Sequence, residues 1–111
     1  MASQINVFKT VTANITNTSS LVYTAPLGIT SIVLMAHCAN ISGNNENVSF
    51  NHVSNTGIRT ELLKQYTVLK RDAAGLLTGK LIIEQNNSVE IFSSSNNALK
   101  LTMSILESTN A

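Results

Sequence analysis

Thr30–Ile41, TSIVLMAHCANI, is the longest apolar run in the chain, and apolar residues fall on both of its alternating faces. Ile32, Leu34, Ala36 and Cys38 share one face; Val33, Met35, Ala39 and Ile41 share the other, with His37 among them. A strand with one face in water alternates apolar with polar residues, so this one is expected to be covered on both faces. Gly28 upstream and Ser42-Gly43-Asn44-Asn45 downstream bracket it as turn signals. It reads as the central strand of an all-β domain.

Upstream, Gln4–Thr12 reads as a first strand, with Ile5, Val7 and Lys9 set against Asn6, Phe8 and Thr10. Its imperfect alternation suits an edge strand or an arm. Ala13–Ser20 is polar and reads as a loop; Leu21–Thr24 is a short strand that Pro26 ends, since proline cannot donate to a ladder. Downstream, Val48–Val53 alternates as a half-buried strand. Ile58–Leu69 contains ELLKQ, which could make one helical turn, but its β-branched and aromatic tail favours a strand with a bulge or irregular start.

Lys70–Thr78 reads as a turn, and the last third as a meander: Lys80–Glu84, Ser88–Ser93 and Leu99–Glu107. Short strands with turn signals every 8–12 residues predict an antiparallel β-sandwich, Ig-like or jelly-roll-like, of about seven or eight strands. Residues 1–20 are expected to form an N-terminal strand or arm and polar loop, open to contact between subunits. Residues 21–111 are expected to form the sandwich body.

The strand phases put Leu81, Ile83, Val89 and Ile91 in the core. They leave Ile82, Phe92 and Leu106 outside, with Glu84 and Glu90 beside them. Such a face is either a subunit contact or is covered by the second sheet or the N-terminal strand. Ile5, Val7 and Phe8 of the arm, with Ile82, Phe92 and Leu106, are the candidate interaction residues.

Composition points the same way and removes several functions. Charged residues make up 12% of the 111, about half the usual share, and 14 asparagines with many Ser and Thr replace them. That suits turns and strand surfaces rather than long helices. A net charge of +1 gives no basic patch for nucleic acid. The lone Cys38 excludes an intramolecular disulfide and reads as a buried small hydrophobe. No secretory pattern opens the chain and no run of 18 apolar residues occurs, so synthesis in a reducing cytoplasm and no membrane partner are expected.

No catalytic or metal constellation emerges. His37 and His52 are the only histidines, too few for a zinc site without cysteine pairs. The carboxylates Glu46, Glu61, Asp72, Glu84, Glu90 and Glu107 stand singly and read as solvated, although Glu84 and Glu90 flank one predicted hairpin. A carbohydrate-binding or host-adhesion module is a rival, but the chain has no Trp, and Tyr23 and Tyr66 read as core residues. The expectation is a non-enzymatic protein without a cofactor.

The segments VYTAPLGITSIVLMAHCAN (Val22–Asn40), LTGKLIIEQNNSV (Leu77–Val89) and LKLTMSILE (Leu99–Glu107) resemble small virion structural proteins of tailed bacteriophages, notably those infecting marine bacteria. The resemblance covers most of Leu21–Glu107 and consists of strand and turn residues rather than a catalytic signature. It implies a β-sandwich that assembles on the virion in several copies, with a trimer favoured, after synthesis in the host bacterial cytoplasm. Its implied role is a head decoration or cement protein bound to the major capsid protein or other virion proteins, with neck or tail placement as the alternative.

Overall fold

The computed structural model describes residues 6–110. Nine strands are present among them and no helix: β1 Asn6–Ile15, β2 Ser20–Thr24, β3 Ile29–Asn40, β4 Glu46–Val53, β5 Arg59–Val68, β6 Ala73–Gly75, β7 Leu81–Ile83, β8 Ser88–Ser93 and β9 Leu99–Thr109. They form two packed antiparallel sheets. One has the order β1-β9-β3-β6, with β7 also on β3; the other has the order β2-β8-β4-β5. The fold is the antiparallel β-sandwich expected, and its pairing decides between the two topologies.

Strands pair in nested fashion: β1 with β9, β2 with β8, β3 with β6 and β7, β4 with β5. The chain is thus one long hairpin folded at the β4–β5 turn and rolled up, closed by the β3–β9 and β4–β8 pairs. That is the jelly-roll arrangement. Paired strands sit far apart in sequence, which composition and alternation do not reveal.

The core is the inner faces of both sheets. Ile15, Val33, Cys38, Val48, Phe50, Ile83, Val89, Ile91, Leu99, Leu101, Met103 and Ile105 are all fully buried. β9 shows the simplest pattern: Leu99, Leu101, Met103 and Ile105 point inward while Lys100, Thr102, Ser104 and Leu106 point out. The Asn-rich turn after β3 is fastened by buried Asn40. Its Nδ2 donates to the carbonyls of Asn44 (2.8 Å) and Val68 (3.0 Å), and its Oδ1 accepts from the Ser42 amide (2.9 Å) and hydroxyl (2.7 Å). Asn86 and Asn97 take the left-handed backbone conformation at two other turns, which asparagine tolerates better than most residues.

Several expectations are corrected. β3 carries a bulge between Val33 and Met35, which resets the alternation. Ser31, Val33, Ala36, Cys38 and Asn40 face inward, and Ile32 faces out. β3 is therefore covered on one face only, and Met35 is exposed on the other. Residues 13–15 belong to β1 rather than a loop, because Ile15 completes the inward row of Val11 and Ala13. Ala73–Gly75 forms a ninth strand where a turn was expected.

The expected meander is absent. β7 lies in one sheet and β8 in the other, so Glu84 and Glu90 do not face each other across a hairpin. Ile83 and Val89 both need the core, and crossing between the sheets lets the short Gln85–Asn87 connection bury both. Tyr66 is exposed on the edge strand β5 rather than packed in the core.

Candidate interaction surfaces

Among the described residues no further layer covers either outer face of the sandwich, and the two faces differ in chemistry. On the five-stranded sheet, Phe8 lies opposite Leu106, Leu106 opposite Ile32, and Ile32 opposite Ile82. Four strands thus contribute one in-register apolar row, about 14 Å from end to end at ordinary strand spacing. Phe8 is 74% and Ile82 59% exposed, while Ile32 and Leu106 between them are half-buried. Asn6, Ser108 and Thr30 flank the row on one side, and Thr10, Ser104 and Met35 on the other. An apolar stripe with a largely polar rim has the anatomy of a protein interface.

Beneath this row, the inner face is closed by a polar plug. Glu107 continues the inward parity of β9 and is buried. It accepts hydrogen bonds from the Tyr23 hydroxyl and, at 3.0 Å, from Lys9 Nζ. Tyr23 also shares a 2.6 Å hydrogen bond with buried Ser31. Burial raises the pKa of Glu107, but the Tyr23 hydrogen bond and the Lys9 ammonium outweigh it and hold the carboxyl below its ordinary value. Burial, with the Glu107 hydrogen bond and charge, pushes Tyr23 up to about 12. Burial alone pushes the Cys38 thiol up to about 11, which makes it unreactive.

On the four-stranded sheet four outward residues are polar yet hidden: Ser49, Asn51, Ser88 and Glu90 are all buried. Glu90 Oε1 accepts from Asn51 Nδ2 at 3.0 Å and from Arg59 Nε at 2.5 Å. Register shifts between β4 and β5, with Gln65 at φ 50, disturb the edge strand here. A groove of about 360 Å³ results, floored by Ser49, Asn51, Glu90 and Phe92 and walled by Arg59, Glu61, Lys64 and Gln65. A second depression of about 250 Å³ shares Ser49, Gln65 and Phe92 with it and adds Asn17, Asn47, Ser93 and Ser94.

Of the candidate interaction residues, Phe8, Ile82 and Leu106 come together in the apolar row. Phe92 lies on the opposite sheet, half-buried in the groove, because β8 does not neighbour β7. Val7 points to the inner side at the open end of the sheet and is 40% exposed. Ile5 lies outside the described residues. Within the N-terminal strand or arm expected over residues 1–20, Asn6–Lys9 pair with Ser108–Ile105 of the same chain.

The expectation of solvated carboxylates fails at Glu90 and Glu107, both buried and paired. Parity alone would have found Glu107. Nothing in the sequence marks Ile32, because the bulge that turns it outward leaves no residue signature. Among the described residues no three His, Cys, Asp or Glu side chains come together as metal ligands.

No protein-family model matches the chain, and no curated protein matches it by sequence. Solved structures do match in fold. A chain of the Bacillus endospore appendages, described as a novel family of disulfide-linked pili, aligns with a TM-score of 0.60 at 12% identity, over 98% of this chain and 90% of that one. A chain from the Gx strain of infectious bursal disease virus gives 0.55 at 8% identity, over 99% of this chain and 34% of that one. VP2 of that virus, in a subviral particle, gives 0.51 at 9% identity, over 97% of this chain and 33% of that one. This chain spans about a third of those viral chains. At such identities the likeness is one of fold: this chain shares its sandwich with a chain of the endospore appendages and with part of the infectious bursal disease virus chains.

Proposed function

We propose that the chain is a non-enzymatic structural subunit of a tailed-phage particle: a head decoration protein that seats its apolar row on the capsid exterior and bridges neighbouring capsomers. The observation that carries this is the in-register row of Phe8, Leu106, Ile32 and Ile82 with its polar rim. Apolar side chains held on a sheet are preorganised, so docking them costs little conformational entropy. The fold likeness to capsid and pilus chains supports an assembling role, and the sequence resemblance to phage virion proteins supports the particle.

Cys38, the one cysteine of the sequence, is fully buried, so it offers no thiol for a disulfide between folded copies. Several copies, with a trimer favoured, would multiply weak contacts into stable occupancy.

The test is co-sedimentation of purified protein with undecorated phage heads. Wild type is expected to saturate the heads, and the Phe8→Ser/Ile82→Asp double variant to bind at least about tenfold more weakly with an unchanged melting temperature. Equal binding by the variant would remove the row from the mechanism. Binding to tails but not heads would move the subunit to the neck or tail.

A further inference from the structure

We propose that the outer face of the four-stranded sheet is a second recognition surface, a groove that binds a neutral oligosaccharide along β4 and β8. It is independent of the apolar row, which lies on the opposite sheet.

The groove combines three features that such a ligand needs. First, its donors and acceptors are mixed. The guanidinium Nη groups of Arg59, the Lys64 ammonium and the side-chain amide of Gln65 have no partner among the described residues, and neither has the Glu61 carboxylate; the Gln65 backbone amide donates to Ser49 Oγ. A sugar hydroxyl both donates and accepts, so it can satisfy either kind. Second, the formal charges cancel, with Arg59 and Lys64 against Glu61 and Glu90. A strongly anionic or cationic ligand would gain on one pair only to be repelled by the other. Third, Phe92 lines both depressions, offering a ring to the apolar C–H face of a sugar between them.

The groove floor is preorganised. Glu90 is 3% exposed and held by both Asn51 and Arg59, so its carboxylate cannot swing. Asn51 is 5% exposed, and its Oδ1 is buried without a donor. An unmatched acceptor on the floor of a groove favours a ligand that donates, as a hydroxyl does. The second depression adds only amides and hydroxyls, Asn17, Asn47, Ser93 and Ser94, which extends the same chemistry past Phe92. The first volume alone lies at the lower end of small-molecule sites, about 300–1,000 Å³. The joined depressions suit a ligand longer than one sugar ring.

The test is a ¹⁵N-HSQC titration of the full chain with neutral tetrasaccharides: maltotetraose, cellotetraose, mannotetraose and N-acetylchitotetraose. With sugar at about 10 mM, dissociation constants in the millimolar range are visible. At least one sugar is expected to shift amides of Ser49–Asn51, Arg59–Gln65 and Glu90–Phe92 and leave β1 unmoved. Phe92→Ala and Glu61→Ala are each expected to weaken that binding by about fivefold to tenfold. Glu61 is exposed, so its variant remains informative if Phe92→Ala does not fold. Phe8→Ser, on the other sheet, is expected to leave it unchanged. No shift with any of the four sugars would overturn the proposal. So would equal affinity in the Glu61→Ala variant, or an equal response of the same amides to tetraglycine.

Discussion

Phe8 and Ile82 on one outer face are largely exposed, while Ser49, Asn51 and Glu90 on the other are almost completely hidden. This reverses the ordinary relation between polarity and burial, and such reversals carry information that an exposed leucine alone does not. Glu90 is hidden because Asn51 and Arg59 close over it, so its burial is satisfied within the chain. Among the described residues nothing covers the ends of the Phe8–Ile82 row in this way. One outer face is thus shaped by internal hydrogen bonding, and the other presents exposed apolar side chains.

The sharpest way to break this contrast is at Glu90. Glu90→Ala leaves Asn51 Nδ2 without an acceptor and Arg59 without its ion partner. It is expected to cost about 2–3 kcal/mol in urea unfolding, the lower part of the range for a broken buried pair because Arg59 is half-exposed. A cost below about 0.5 kcal/mol, typical of an open surface, would mean that the groove floor is not held as described.

A smaller effect belongs to the plug beneath the apolar row. The folded pKa of Glu107 is lowered, so its stabilisation is complete above the unfolded value of 4.5 and is lost as pH falls through the folded value. Tyr23 is raised from 10.0 to about 12, so its stabilisation is complete below pH 10 and is lost as pH rises towards 12. Cys38, raised from 9.0 to about 11, weakens the fold over an overlapping alkaline window. Unfolding followed from pH 9 to 12 is expected to show a steeper alkaline loss in wild type than in Tyr23→Phe. Equal slopes would assign the whole loss to the thiol.

The smallest effect tests the apolar row itself. Phe8→Ser is expected to change the stability of the isolated chain by less than about 0.5 kcal/mol, although it removes an aromatic residue. A loss above about 1.5 kcal/mol would show that Phe8 already packs within its own chain, and the contrast between the faces would fail.

Much of this was legible in advance for β9, where strict alternation placed Leu99, Leu101, Met103 and Ile105 in the core and Leu106 outside. The outward position of Ile82 followed from the same period of two. Ile32 was grouped on one face with Ala36 and Cys38, from which the bulge between Val33 and Met35 separates it, because a bulge shifts parity without requiring any particular residue. Phe92 was grouped with Ile82 because neighbouring strands in sequence were taken as neighbours in space. The groove was illegible: Asn51, Arg59 and Glu90 meet only through the β8-β4-β5 order.

Alternation and turn residues therefore determined that this chain is an all-β sandwich, with its turns in Asn-, Ser- and Gly-rich segments. These are local properties, set by side-chain direction along an extended backbone and by the conformations each turn requires. Which strand lies beside which was decided only by the tertiary structure. The nested pairing joins β1 to β9 and β2 to β8 across most of the chain, and hydrophobic burial is non-directional, satisfied by more than one strand order. The register that lines up Phe8, Leu106, Ile32 and Ile82 exists only once those long-range pairs have formed.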